Sequence, residues 1–182
     1  MSAAIHTKRV NPDGTVSEVW LNSNREKESF NGEPAEICYY PKSDKVRFQA
    51  WCKNGKLHRE NNQPALIKYS KNGNLLSKTW FLDGEKHREF GPAHIDYDFN
   101  QGVIEYYWYH NGVPYRDDEL PNFVRVLDGV EVIQEWHGEG ETMLVRENGE
   151  PNRIFYYPDG SPIIEQWVEP NDAEKLSKLA FK

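Results

Sequence analysis

The chain has 182 residues and carries 29 acidic and 22 basic side chains, so its formal net charge is -7. This length is typical of a single domain with a buried core. The negative charge argues against general binding to nucleic acids or anionic membranes, because such binding requires clustered Lys and Arg. The sequence has no run of about 18 apolar residues that would cross a membrane, and its N-terminus lacks the apolar stretch of a signal peptide. We therefore expect a cytoplasmic protein that binds neither nucleic acid nor membrane.

Tryptophan recurs at nearly constant spacing along the chain. An Asn or Gly, the residues that best tolerate a positive φ, follows each tryptophan by four positions. The tryptophans lie 28 to 31 residues apart and are Trp20, Trp51, Trp80, Trp108, Trp136 and Trp167. Such a period is typical of a repeat protein. The sequence therefore predicts about five units, which begin near residues 16, 47, 76, 104 and 132, and a closing strand over 161–168.

The sequence predicts the same order of elements in each unit. A strand ends at the tryptophan, a turn follows, and a proline farther along opens a second strand in which apolar residues alternate with mixed ones. The alternating residues expected on the buried face are, in the first and third units, Ala35, Ile37 and Tyr39 and Ala93, Ile95 and Tyr97. Turns such as Lys-Asn-Gly at 71–73 lead to the next tryptophan strand. The pattern predicts an all-β fold, an antiparallel β-meander of stacked hairpin units in one extended, twisted sheet.

The tail departs from the repeat. Asn171 followed by Glu174 resembles a capping box, and Leu176 and Leu179 share one face of a helix. We therefore expect a single β-repeat domain over 1–170 and a short C-terminal helix over 171–182. That helix would cover the last sheet edge or the open core, because exposed edges are usually covered or charged.

The segment from Trp51 to Tyr69 resembles a known repeat. It reads Trp-x-x-x-Gly-Lys-Leu-His-Arg-(x)4-Pro-Ala-x-Ile-x-Tyr, which is similar to the MORN-variant repeat of antitoxin-like and viral proteins. The pattern continues from Trp80 to Tyr97, whereas the fourth and fifth units depart from it and 137–147 lacks the His-Arg pair. The resemblance implies a sheet of stacked hairpins used for protein contacts. It also implies a role as an antitoxin, an immunity protein or a viral component.

The His-Arg pairs and nearby acidic residues are the candidates for partner binding. One interpretation is that the arginines lock the hairpins by hydrogen bonds to backbone or carboxylate groups, and the other is that His and Arg form a recognition stripe. The acidic groups are either solvated turns or contacts for a basic partner. The candidate residues are His58, Arg59, His87, Arg88, Tyr115, Arg116, Asp117, Asp118, Glu119, Glu139 and Glu141.

Other kinds of site receive little support from the sequence. The regular aromatic residues are expected to form the core rather than a stacking platform for single-stranded nucleic acid. No third ligand recurs beside His58 and His87, so we expect no metal and no cofactor. Cys52 directly follows Trp51 and is expected to point away from it, toward solvent, with no histidine base placed beside it by the repeat.

Three functions remain open at this stage. We expect a non-enzymatic module that binds another protein with a basic surface, such as an immunity protein or a phage-encoded inhibitor of a bacterial effector. A structural component of a virion or scaffold is the alternative. An enzyme with a site in the modified C-terminal units, around His137, Glu139 and Glu141, is the third.

Overall fold

The computed structural model describes residues 4–116, 120–138, 151–157 and 159–166. All of its elements are strands. In chain order they are β1 (Ile5–Val10), β2 (Val16–Leu21), β3 (Glu36–Tyr39), β4 (Val46–Ala50), β5 (Cys52–Lys53), β6 (Lys56–Leu57), β7 (Leu66–Tyr69), β8 (Leu75–Thr79), β9 (Phe81–Leu82), β10 (Glu85–Lys86), β11 (His94–Asp98), β12 (Val103–Tyr107), β13 (Tyr109–His110), β14 (Val113–Pro114), β15 (Phe123–Leu127), β16 (Val130–Glu135), β17 (Arg153–Tyr156) and β18 (Pro162–Gln166).

Twelve of the described strands form one antiparallel sheet. Its order, β1-β2-β3-β4-β7-β8-β11-β12-β15-β16-β17-β18, follows the chain, so every strand pairs with its sequence neighbours in the sheet. The predicted all-β antiparallel meander is confirmed. The described ranges contain no helix, and thus none that is long and apolar enough to cross a membrane. The C-terminal helix predicted over 171–182 lies outside the described residues.

Three short hairpins branch from the sheet directly after a tryptophan. They are β5–β6, β9–β10 and β13–β14. Their two central turn residues are Asn54-Gly55, Asp83-Gly84 and Asn111-Gly112, and all six have positive φ. Two-residue turns with positive φ at both positions match the twist of antiparallel strands, which explains why Asn or Asp precedes Gly here.

The tryptophan backbone joins the two strand segments of each sequence unit. Each of five tryptophan N–H groups donates to the carbonyl of the residue that follows the proline of the same unit, at 2.8–3.0 Å. These pairs are Trp20–Ala35, Trp51–Ala65, Trp80–Ala93, Trp108–Asn122 and Trp136–Asn152. The acceptor residues are all buried. A small or amide side chain at this position therefore leaves room for the neighbouring indole.

Burial of the first alternating strand differs from the expectation. The prediction holds for Ile95, but Ile37 is only half-buried, whereas Cys38 and Ser17, a cross-strand pair on the opposite face, are almost inaccessible. Polar neighbours cover that face, because Asn11 donates to Ser17 and the ammonium group of Lys27 forms an ion pair with buried Glu36. Apolar alternation alone does not reveal a face closed by small side chains and an ion pair.

Candidate protein-binding site

The repeated histidines are caps of turns. The backbone N–H of Asp83 donates to Nδ1 of His58, and the backbone N–H of Asn111 donates to Nδ1 of His87, both at 3.2 Å. Each histidine thereby holds the tip of the next short hairpin. His58 is 8% exposed. A nitrogen that accepts this backbone bond is occupied, which argues for a structural role of both rings.

The repeated arginines lie over the tryptophans. The guanidinium carbons of Arg59, Arg88 and Arg116 lie 3.7–4.0 Å from the ring centroids of Trp51, Trp80 and Trp108. Each guanidinium also donates to a proline carbonyl at 3.1–3.2 Å, and the acceptors are Pro64, Pro92 and Pro121. Partial burial lowers the pKa of each arginine from its ordinary value. Of the two interpretations, this geometry favours the lock to the backbone over a free recognition stripe.

Tyr115 belongs to a groove on the loop side of the sheet. This loop groove, about 660 Å³ in volume, lies between the 88–91 loop and the next hairpin, and His110 and Arg116 also line it. Its exposed apolar residues are Phe90 (73% exposed), Tyr115 (50%) and Leu120 (46%). The predicted candidates His87, Arg88, Tyr115 and Arg116 therefore come together around this groove, with the His87 and His110 rings 4.6 Å apart.

An earlier unit carries a corresponding but more polar groove. It is smaller, about 410 Å³, and it is lined by His58, Arg59 and polar residues such as Glu28 and Asn61. The loop groove therefore exposes more apolar surface than this one, and two of its apolar residues, Tyr115 and Leu120, lie in the fourth unit, which departs from the repeat.

A larger groove, which the sequence did not reveal, crosses one face of the sheet. This sheet groove has a volume of about 740 Å³ and draws residues from β8 through β18. Its apolar lining comprises Leu76, Val103, Leu127, Val132, Phe155 and Ile163. Leu76 and Ile163 are 41% and 43% exposed, although both are large apolar residues. The groove therefore extends across seven neighbouring strands of the sheet.

β-Bulges supply part of this apolar lining. The register shifts between Lys68 and Tyr69, where Leu76 is the extra residue of β8, and similar shifts leave Val132 and Ile163 unpaired. Each of these residues stands four positions before a tryptophan, where most units carry an apolar residue. That recurrence was a usable signal, but simple alternation assigned the position to a regular strand. Bulges re-aim side chains, and they do so here toward the groove.

The charges along the sheet groove are mainly negative. Asp96, Asp98 and Glu105 line it, against the single guanidinium of Arg125. Arg125 is already paired with Glu105, at 2.5 and 2.8 Å. Asp96 contacts Nε2 of His94 at 3.0 Å, yet its side chain remains 47% exposed. The groove therefore combines apolar surface with an excess of carboxylates, since the residues that the structure describes add no second arginine or lysine to its lining.

The acidic candidates cannot be placed in either groove. Asp117, Asp118, Glu119, Glu139 and Glu141 lie outside the described residues. His137 is described, and its Nε2 lies 2.7 Å from Glu135, which also forms an ion pair with Arg153. Burial raises the pKa of Glu135, but the contacts with His137 and Arg153 outweigh it and lower the pKa below its ordinary value.

Asn122 explains one departure from the repeat. Its side-chain amide donates to the His137 carbonyl at 2.6 Å and accepts from the His137 N–H at 2.8 Å. The amide therefore binds the backbone that follows Trp136, in a unit that has lost the His-Arg pair. Replacement of Ala by Asn at this position is thus a structural compensation.

Cys52 does not point to solvent, contrary to the expectation. It is 4% exposed, and burial raises its pKa to about 11. The backbone N–H of Cys52 donates to Ser29 Oγ at 3.0 Å, and the residue belongs to the β5–β6 hairpin. Within the described ranges, no group of three or more His, Cys, Asp or Glu residues is arranged to hold a metal ion.

Replacement of Arg88 by alanine is expected to lower the free energy of unfolding by about 1–3 kcal/mol, because it removes a cation–π contact and hydrogen bonds. Arg88→Lys should recover only part of this loss, because lysine keeps the positive charge but lacks the planar guanidinium with its several N–H donors. Urea unfolding measures the effect, with Lys71→Ala, at an exposed turn, as the control. Equal unfolding midpoints for Arg88→Ala and Lys71→Ala would contradict the structural role.

The thiol of Cys52 is expected to react slowly in the folded protein. With a pKa of about 11, only about one thiol in a thousand is ionised at pH 8, and the thiolate is the reactive form. Modification by DTNB at pH 8 should therefore be at least about tenfold slower in the native protein than in urea, for Cys52 and for buried Cys38 alike. A native thiol that reacts at the unfolded rate would show that this assignment is wrong.

Comparisons of the chain with protein-family models, with curated proteins and with solved structures found no match. The resemblance of Trp51 to Tyr69 to the MORN-variant repeat therefore stays a prediction from those residues. The function has to be argued from the geometry and charge of the two grooves.

Proposed function

We propose that the protein is a non-enzymatic module that binds another protein, and that the sheet groove is its main binding site. In this proposal five repeated hairpin units build an extended, twisted sheet, and the modified C-terminal half carries the contacts. The partner has a basic surface. The resemblance to antitoxin-like repeats favours a cytoplasmic inhibitor, such as an immunity protein or a phage-encoded inhibitor of a bacterial effector.

The observation that carries the proposal is the combination, in the sheet groove, of exposed apolar residues with an excess of carboxylates over Arg and Lys among the described lining residues. Large apolar side chains such as Leu76, Leu127 and Ile163 remain 39–43% exposed. Contiguous exposed apolar surface with a polar rim is typical of a protein interaction site. Apolar side chains at the centre of such a site supply most of the binding energy.

Charge supports a basic partner. The chain has a net charge of -7, and the groove lining contains three carboxylates and one arginine. Complementary charge accelerates association and excludes wrong partners. The described lining of the loop groove has the opposite balance, because Arg88 and Arg116 line it together with one described carboxylate, that of Glu89.

The structural alternative rests on the edge strand β1, whose six residues are all exposed. Because the sheet has an even number of described strands, the β1 strand of a second copy next to β18 would continue the antiparallel order. However, β1 carries His6, Lys8 and Arg9, and charged side chains on an edge strand oppose pairing with another copy. The edge strand β1 is therefore a weaker argument for self-assembly than the sheet groove is for a protein partner.

The enzyme alternative rests on His137 and Glu135. A histidine paired with a carboxylate is a frequent feature of general bases. Here the same carboxylate also binds Arg153, and the His137 backbone is clamped by Asn122. These contacts support a role in joining neighbouring strands.

The proposal is tested by affinity capture from the native host lysate with the tagged protein, with Leu76→Gln as the groove variant. Leu82→Gln is the matched control, because Leu82 is equally exposed (42%) but lies on the β9 strand outside the groove. We expect one basic partner in stoichiometric amount with the wild type and with Leu82→Gln. Leu76→Gln should retain less than about a tenth of it, as for a residue at the centre of an interface.

Three results would contradict the proposal. Equal capture by Leu76→Gln and the wild type would exclude the sheet groove as the main site. Loss of the partner only with Phe90→Ala would move the interface to the loop groove. Recovery of large assemblies of the protein itself, measured by light scattering after size-exclusion chromatography, would favour the scaffold role.

A further inference from the structure

The sheet groove lies on a face of the sheet and not along its edge. Its lining residues belong to inner strands such as β12, β15 and β16, which pair on both sides. Their backbone N–H and C=O groups are already used in the ladder. An extended peptide in the groove would therefore bury backbone groups without partners, which is unfavourable.

A helix satisfies its own backbone hydrogen bonds and needs only side-chain contacts from its receptor. The groove runs across the strands from Leu76 on β8 to Ile163 on β18. Seven strands at a spacing of about 4.8 Å span roughly 29 Å. A helix of about 14 residues, roughly 21 Å long, would cover most of this span.

The charged residues of the sheet groove determine which charge the helix must carry. The groove lining is apolar at Leu127, Val132 and Phe155 and acidic at Asp96 and Asp98. Among the described lining residues the one Arg or Lys is Arg125, which is paired with Glu105, and that carboxylate also accepts the Tyr107 hydroxyl at 2.8 Å. Asp96 and Asp98 pair with no described arginine or lysine of the lining, although Asp96 contacts His94 and Asp98 accepts the N–H groups of Asn100 and Gln101.

We propose that the sheet groove binds an amphipathic helix of a partner protein, with leucine-like side chains on one face and Lys or Arg beside them. This inference rests on the proposed function and specifies the partner's recognition element. The apolar face of the helix packs on Leu76, Val132 and Phe155. Its basic residues pair with Asp96 and Asp98.

The test uses three fluorescein-labelled synthetic peptides of 14 residues and the full-length protein. The first has Leu at i, i+3, i+4 and i+7 spacing and Lys elsewhere; the second has Glu in place of every Lys; the third is the Leu/Lys peptide with a central proline. Fluorescence anisotropy measures binding. We expect the Leu/Lys peptide to bind at least about tenfold more tightly than either of the others, because charge reversal and helix breaking each remove a required feature.

Variants of the protein locate the site. Leu76→Gln should weaken binding of the Leu/Lys peptide about tenfold, and Asp96→Asn should weaken it about threefold and reduce its salt dependence. Leu82→Gln should leave the affinity within about twofold, since it removes an equally exposed leucine outside the groove. Near-UV circular dichroism checks that each variant keeps its tertiary packing.

Several outcomes would overturn the inference. Equal binding of the proline-containing peptide would show that no helix is required, and equal binding of the Leu/Glu peptide would remove the charge requirement. Equal weakening by Leu76→Gln and Leu82→Gln would place the peptide elsewhere. If no peptide binds while the natural partner is still captured in a Leu76-dependent way, the helix is excluded and the proposed function survives.

Discussion

The structure depends on one repeated hydrogen bond, from the backbone N–H of a tryptophan to the carbonyl of the residue after the proline of the same unit. It recurs five times at 2.8–3.0 Å, and the acceptor changes from Ala35 to Asn152 without loss of the bond. The carbonyl groups of Trp20, Trp51, Trp80 and Trp108 accept in turn from the loop that follows, as between Trp51 and His58. The indole adds contacts that another side chain would lack, since Nε1 of Trp51 and of Trp80 donates to the carbonyls of Gly32 and Asn62.

The His and Arg side chains that recur in the units form contacts mainly within the fold. His58 caps the next hairpin turn, and Arg59 lies over Trp51 while it binds the Pro64 carbonyl. Side chains engaged in this way have little capacity left for a partner. The exposed apolar surface of the sheet groove comes instead from the bulged residues that stand four positions before a tryptophan, of which Leu76 is one. A repeat can in this way keep its architecture while its surface changes from unit to unit.

The sequence predicted the meander well because its signals are local. The tryptophan spacing, the Asn-Gly turns and the prolines that open strands are patterns that can be read within one unit. Together they predict where the strands begin and end. The site was harder to predict, because the sheet groove combines Leu76 with Ile163, 87 positions later, through the side-by-side pairing of seven strands, which no local pattern encodes. Alternation also misassigned Ile37, since bulges and the Lys27–Glu36 ion pair decide which face is closed. Cys52 was misplaced because it belongs to the short β5–β6 hairpin, where it is buried and bonded to Ser29 of an earlier loop.

Amide hydrogen exchange followed by NMR tests the central role of the tryptophan backbone most directly. If the N–H groups of Trp51, Trp80 and Trp108 hold the two strand segments of each unit together, they exchange among the slowest amides of the protein, together with those of the inner strands. The exposed turn amide of Lys71 provides the fast reference. Tryptophan amides that exchange as fast as Lys71 would contradict the account, because the two segments would then be joined by other contacts.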